Sequence, residues 1–334
     1  MSTFESDTDL TVCVCTYNSE KYIAETLTSL WEQTFRNFRL LVVDDCSCDR
    51  TVEEVQAYIA DKHWLEAEIV TFPKNRGTAY IRDFALRHVS TPLILFFDSD
   101  DIAKPELIET LYQKITSDNS LIAVSCYCDY MDANGHPLKG GLYLGPKNKE
   151  EFLAKAMHGK MLFFSYAAMY RRERAIDAGG YRQAEWFPQG PIRYEDMSED
   201  VDLWGRMSDF YDRGQYIIVI PQVLFYYRKN TNSLSTGFAK ARVMGQKLMY
   251  IKANQLRRRA RQPEFKFEEY WNKLGLWKKF NFERRNCGSY LYRQACFAWV
   301  HRKFLCCAWY LAIGAVCTPF YPLEKYKSNF RKKH

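Results

Sequence analysis

Apolar and polar positions along the first 120 residues fall into short blocks, each with its own period. Residues 10–15 (LTVCVC) form an unbroken β-branched run closed by Thr16, Tyr17 and Asn18, which predicts a buried strand ending in a loop. Ile23, Leu27, Leu30 and Trp31 then recur at helical spacing, with Ser19 placed to cap that helix. Residues 39–43 (RLLVV) read as a second buried strand running into Asp44 and Asp45. The alternation continues: Val52, Val55 and Ile59 mark a helix, 68–72 a strand, 80–86 a helix, and 92–97 (PLILFF) a strand that stops at Asp98. Strands alternating with helices imply an α/β fold with a doubly wound, mostly parallel sheet flanked by helices. Such sheets bind ligands beyond the carboxyl ends of their strands. Here those ends carry Thr16-Tyr17-Asn18, Asp44-Asp45 and Asp98-Ser99-Asp100-Asp101, so three polar strand ends should converge on one crevice.

Beyond Leu121 the alternation weakens. Strands are expected near 123–126 and 165–170, a turn at Gly179-Gly180, a helix over about 201–210, and two further strands at 216–220 and 223–228. From Phe238 the pattern is helical, with Arg257, Arg258, Arg259 and Arg261 in one helix. Residues 305–318 (LCCAWYLAIGAVCT) are apolar but shorter than the roughly 20 residues needed to span a bilayer. No internal repeat or Pro/Gly/Ser-rich linker interrupts the chain.

Composition narrows this picture. The chain has 334 residues, 47% hydrophobic and 26% charged, which excludes a disordered or collagen-like protein. Its net charge of +7 conceals an asymmetry. Residues 1–228 hold 24 Lys+Arg against 35 Asp+Glu (−11), whereas 229–334 hold 23 against 5 (+18). Such a basic block is an electrostatic footprint for an anionic lipid, nucleic acid or polyanionic partner. Nucleic acid is disfavoured because no recognition module accompanies the charge. The eleven cysteines include the pairs Cys13/Cys15, Cys46/Cys48 and Cys126/Cys128, spaced as on one face of a strand rather than as CxxC metal or redox sites. Buried, reduced thiols and a reducing compartment such as the cytosol are expected. The start, MSTFESDTDL, lacks the charged and apolar regions of a signal peptide. The scattered histidines, His63 and His88 among them, are expected at the surface.

Neither GxGxxG nor a GxxxxGK[ST] phosphate loop is present, so the phosphates of a nucleotide would need another counter-charge. Asp98, Asp100 and Asp101 at the end of an apolar strand would repel one another without a cation, and oxygen-only ligands suit Mg²⁺ or Mn²⁺. A solvated turn capping a helix before Pro105 is the alternative reading of the same residues.

The ordered segments CTYNSEKYIAETLTSLWEQTFRNFRLLVVDDCSCDRT, NRGTAYIRDFAL, FFDSDD, GGYR, SEDVDLWGRM and YYRKNTNSLS resemble the motif set of family 2 glycosyltransferases over about residues 10–235. The resemblance implies a GT-A catalytic domain over 1–235, with a nucleotide-sugar half over about 1–120 and an acceptor half over 121–235. Residues 236–334 lie outside it, as a basic, aromatic-rich helical extension. Carried over, the motifs imply Thr16, Tyr17, Asn18 and Asp45 around a uridine, with Tyr17 stacked on the base and Asp45 accepting from its ring N–H. They imply Arg76 and Arg82 near the nucleotide and donor sugar, although an ion pair between Arg82 and the aspartate cluster accounts for that residue equally well. They imply Asp98 and Asp100 on the nucleotide sugar, Asp100 and Asp101 on the metal, and Asp200 as the base that deprotonates the acceptor. Helix capping is the other role open to Ser198, Glu199 and Asp200. Glu195-Asp196 is a second acidic pair, and Asp200 is preferred because DLW follows at the family spacing. Trp186 and Glu199 are candidate acceptor contacts, with Phe187, Pro188 and Tyr194 in the same segment, where core packing also explains the aromatic residues. One position departs from the family, Asn230 where His is common, and Arg228 with Lys229 is expected to compensate at the nucleotide sugar.

The resemblance further implies inverting transfer from a UDP-sugar, by a hexosyl- or N-acetylhexosaminyltransferase, to a saccharide or lipid-linked saccharide of lipopolysaccharide, lipooligosaccharide or capsule. The basic tail, with Arg302-Lys303, Trp299, Trp309, Tyr310 and the run 325–333, can lie on an anionic membrane, placing the enzyme peripherally on the cytoplasmic face of an inner membrane; a helical subdomain packed on the catalytic domain is the alternative. Competing readings are a polyprenyl-phosphate glycosyltransferase, a non-catalytic nucleotide-sugar or membrane binder, and a nucleotidyltransferase.

Overall fold

The computed structural model describes residues 8–229, 237–300 and 303–318. Asn230, Thr231, Asn232 and Ser233 of the last motif, Arg302, the basic run 325–333 and the first seven residues lie outside the described residues. The first half follows the hydrophobic pattern closely. Strand β1 (Leu10–Thr16), helix α1 (Ile23–Trp31), β2 (Arg39–Asp44), α2 (Thr51–Lys62), β3 (Ala67–Thr71), α3 (Thr78–His88) and β4 (Leu93–Asp98) form in that order. Leu10, Val12, Val14, Val42, Val43, Ile94 and Leu95 are all fully buried, as β-branched and aliphatic side chains covered on both faces of a parallel sheet should be. Ser19 does not cap α1. Its hydroxyl meets the Ser99 hydroxyl at 2.8 Å and its backbone carbonyl accepts from the Ile23 amide, so it ties the β1 loop to the acidic turn after β4.

The second half adds β5 (Ile102–Ala103), α4 (Leu107–Thr116), β6 (Leu121–Met131), β7 (Pro137–Leu142), α5 (Lys149–Met157), β8 (Ala168–Arg171), α6 (Arg172–Asp177), α7 (Glu199–Met207) and β9 (Tyr216–Arg228). The sheet order is β3-β2-β1-β4-β8-β6-β9-β5, with β7 paired to β6. β1, β2, β3 and β4 run parallel; β8 is antiparallel to both β4 and β6, and β9 is parallel to β6. The two strands expected at 216–220 and 223–228 are one strand. Pro221 interrupts the ladder at an irregularity where the register steps from Cys126↔Ile220 to Tyr127↔Val223, the position in which a strand tolerates a missing N–H. The strand expected at 165–170 begins only at Ala168, because Ser165 turns its hydroxyl onto Ser125, 2.7 Å away.

Four helices follow: α8 (Phe238–Arg259), α9 (Phe267–Lys273), α10 (Leu276–Val300) and α11 (Phe304–Cys317). The chain divides into two compact units, Met1–Ser233 with Ile251–Glu264, and Leu234–Tyr250 with Phe265–His334. Ion pairs help to tie Ile251–Glu264 to the first unit. Arg258 pairs with Glu264 and at 2.6 Å with Asp209, Arg259 pairs with Asp209 at 2.7 Å, and Arg182 reaches both Glu264 and Asp202. Arg258 and Arg259, counted in the sequence as part of an outward basic footprint, therefore face inward. The described cysteines are free thiols.

Candidate active site

The carboxyl ends of β1, β2 and β4 do meet, as the alternation requires. At the end of β1 Thr16 is 2% exposed and its hydroxyl has no hydrogen-bond partner, while Tyr17 is 49% exposed. A buried hydroxyl without a partner is costly and marks a position that a ligand can satisfy. Asn18 adopts the left-handed conformation (φ +49°), and its side chain accepts from the Cys48 amide while its own amide donates to Ser47, so it welds the β1 and β2 loops together. Asp44 is taken up by Ser47. Asp45, buried at 2% exposure, accepts from the backbone amides of Arg76 (2.6 Å) and Gly77 (2.7 Å), and burial raises its carboxyl above the ordinary value despite those bonds. Arg76 lays its guanidinium over the Tyr80 ring at 4.0 Å.

Gly77 opens α3 at φ +94°, and a Cβ there would run into the Asp196 carboxylate. Asp196 fills the place a capping side chain would take, accepting from the Ala79 amide at 2.9 Å. The second acidic pair in the sequence thus serves the loop that Asp45 also holds. Arg193 completes the clamp, donating to the side chain and to the carbonyl (3.0 Å) of Asn75. Nothing in helical or strand periodicity signals these contacts, since Asp196 and Ala79 are 117 residues apart.

After β4, Asp98 remains partly exposed, Asp100 is half-buried and Asp101 is 1% exposed. Burial, then the neighbouring Asp100 and Asp98 charges, push the Asp101 carboxyl well above the ordinary value. Arg228, 2% exposed, is held against this turn. Its amide donates to Asp101 (2.9 Å), its guanidinium donates to the Asp100 carbonyl (2.7 Å) and to Glu25 (2.6 Å), and it stacks over Tyr22. Three crowded carboxylates, oxygen donors only, fit a hard divalent cation that takes one or two carboxylates and draws its remaining ligands from water and phosphate. Among the described residues no group of three or more His, Cys, Asp or Glu is arranged to enclose a metal by itself.

Across from the acidic turn stands α7. Ser198, which precedes it, is held at φ +57°, a left-handed conformation uncommon for a residue with a Cβ. Glu199 and Asp200 follow, 8% and 4% exposed. Arg82 joins the acidic turn to α7, donating to Asp98 and to Glu199, each at 2.7 Å. Burial alone would pull this guanidinium down, yet Asp98 and Glu199 hold it well above the ordinary value. The ion-pair alternative for Arg82 describes its geometry, and Glu199, a candidate acceptor contact, is one of its partners. Burial first, then Glu199, lift the Asp200 carboxyl to about 7, against the lowering effect of Arg82 and of the Val201 amide 2.7 Å away. Trp186 lies under the Arg182 guanidinium at 4.2 Å, and Phe187 is buried. Missed by sequence reasoning is an aromatic group on β6, β9 and the segment before β8. Tyr166 stacks on Tyr227 at 5.3 Å, Tyr130 meets Tyr227 edge-on, and Lys229 lies 4.0 Å over Tyr130. The doublet Tyr226-Tyr227 beside Arg228 was its only sequence signal.

A curled mixed sheet with an acidic turn at the end of its fourth strand is the architecture of GT-A glycosyltransferases, and solved structures share it. TarS 1–349 of Staphylococcus aureus in complex with UDP-GlcNAc superposes with a TM-score of 0.54 at 21% identity, over 85% of this chain and 81% of that one. The mannosyltransferase PcManGT of Pyrobaculum calidifontis, in complex with GDP-Man and Mn²⁺, also gives 0.54, at 19% identity over 93% of this chain and 87% of that one. The sequence profile of glycosyl transferase family 2 matches residues 11–178, and the chain belongs to that family, so the protein is a glycosyltransferase. An uncharacterized glycosyltransferase of Haemophilus influenzae is 26% identical over 69% of this chain and 68% of its own length. Other relatives are covered less fully: the chain spans 18% of the 33%-identical Streptococcus pneumoniae glycosyltransferase GlyA.

Proposed function

We propose that the protein transfers a sugar from a UDP-sugar, with inversion, to a hydroxyl of a saccharide or lipid-linked saccharide in a surface polymer such as lipopolysaccharide, lipooligosaccharide or capsule, at the cytoplasmic face of a membrane. The observation that carries this reading is the Asp98–Arg82–Glu199 bridge, which ties the acidic turn after β4 to the carboxylates that open α7. The donor is supported by Thr16 and Tyr17, a buried unpartnered hydroxyl beside an exposed ring, and by relatives such as TarS, named a poly(ribitol-phosphate) β-N-acetylglucosaminyltransferase, 40% identical over 101 residues covering 29% of this chain. Mg²⁺ or Mn²⁺ held by Asp100 and Asp101 would neutralise the charge developing on the leaving nucleoside diphosphate. Asp200 takes the proton of the acceptor hydroxyl as that oxygen attacks the anomeric carbon, and a carboxyl near 7 is well matched to a base that must gain and lose a proton at neutral pH. Glu199, ion-paired to Arg82, keeps the neighbouring helix turn in place.

The reading is tested by nucleoside diphosphate release from a panel led by UDP-N-acetylglucosamine and including GDP-mannose, with Mn²⁺, Mg²⁺ or chelator and extracted glycolipid. Divalent-dependent release from a UDP-sugar, lowered about 10²–10⁴-fold by Asp200→Asn, is expected. An Asp200→Asn enzyme that keeps most of its activity would instead indicate an acceptor already ionised, such as a polyprenyl phosphate.

A further inference from the structure

The sequence of α11 (FLCCAWYLAIGAVC) has no charged side chain, and the helix uses only one of its faces inside the described structure. Cys307, Tyr310, Gly314 and Cys317, spaced three, four and three residues apart, turn toward α10. Cys307 and Tyr310 pack against Ala295 and Ala298, Gly314 comes close to Tyr292, and Cys317 lies 4.0 Å from Cys287. The opposite stripe, Leu305, Ala308, Trp309, Ala312 and Val316, is exposed, with Leu305 at 89%, Trp309 at 61% and Val316 at 83%. Phe304 and, at the end of α10, Trp299 extend it. A helix apolar on every side is ordinarily covered on every side, and a contiguous exposed apolar strip of this kind marks an interaction surface.

We infer that the outward stripe of α11 lies in the interface of an anionic bilayer as an in-plane helix. Three observations choose this occupant. Fourteen residues at 1.5 Å each reach about 21 Å, too short to cross the roughly 30 Å hydrocarbon core, so α11 lies along the leaflet. Trp299 and Trp309 are amphipathic anchors suited to the headgroup boundary. Residues 265–334 carry 14 Lys+Arg against 4 Asp+Glu, which attracts anionic headgroups and repels a second copy of the same surface.

The test is co-sedimentation of the full chain with vesicles of phosphatidylglycerol and phosphatidylcholine or of phosphatidylcholine alone, together with tryptophan emission. Without a sugar donor, it stands or falls separately from the transferase reading. Binding to anionic vesicles about tenfold tighter or more than to neutral ones, with a blue-shifted emission, is expected. Leu305→Glu with Val316→Glu should weaken binding about tenfold or more while far-UV circular dichroism and Tm stay at wild-type values. Failure to bind anionic vesicles, or binding that the double substitution leaves untouched, overturns the inference. So does a substitution that lowers Tm by several degrees without lipid, which would mean that the chain itself covers the stripe, or one that converts a dimer to a monomer, which would mean that a second copy does.

Discussion

At the residue scale, Asp200, as the proposed base, joins two demands that oppose each other. A base must be ionised to act, whereas burial beside Glu199 favours its neutral form and only Arg82 and the Val201 amide favour the charge. Activity should therefore rise with pH through about 7, read as kcat/KM against pH. The stability consequence has the opposite slope. The folded carboxyl titrates near 7, above its unfolded value near 3.8, so its favourable contribution is complete below about 4 and is lost as pH rises through 7. Asp200→Asn, permanently neutral, should therefore gain most in Tm relative to wild type at pH 8 and clearly less at pH 5. The same variant should be the least active, and a thermal melt at the two pH values beside a rate assay checks both halves. That Asp200 heads a helix was legible in the SED-DLW spacing; its raised carboxyl was not, because burial comes from side chains far away in the chain.

Among the elements, α3 shows how a loop too short to hold itself is held by others. The Arg76 and Gly77 amides that lead into it donate to Asp45, just after β2, and its own Ala79 amide donates to Asp196 from the segment before α7. Asp196, lifted to about 7 by burial first and by Glu199 and Glu195 next, can lose its charge without losing its role, because an Asn oxygen accepts the same Ala79 amide. Asp196→Asn should leave stability within about 0.5 kcal/mol of wild type at pH 7, whereas Asp196→Ala should cost about 1 kcal/mol. Asp196→Ala should also weaken UDP binding by loosening residues 75–77, a difference that denaturant titration and calorimetry would resolve. Element type was readable throughout the first half, where β-branched runs and helical spacing agree. It was less readable after Leu121, where β9 carries Pro221 through an irregularity and β8 starts late because Ser165 bonds sideways.

On the scale of the whole molecule, the charge asymmetry resolves into two populations of basic residues. Arg258 and Arg259 close a partly buried network with Asp209 and Glu264, joined by Arg182, Arg206 and Asp202, and this network fastens Ile251–Glu264 to the rest of the first unit. Glu264→Ala would take from Arg182, 5% exposed, one of its two carboxylates, leaving Asp202, and from Arg258 one of its two, and should destabilise that unit by roughly 2 kcal/mol, measured by urea unfolding. What the sequence by itself determined is the alternating architecture, the convergence of three polar strand ends and the family, because local periodicity and motif order are properties of neighbouring residues. Only the tertiary structure decided that Arg228 braces the acidic turn, that Arg82 bridges Asp98 to Glu199, and that part of the basic tail is internal. Those outcomes depend on partners 16 to more than 200 positions apart, and a charge count does not distinguish a guanidinium facing water from one facing a carboxylate inside the fold.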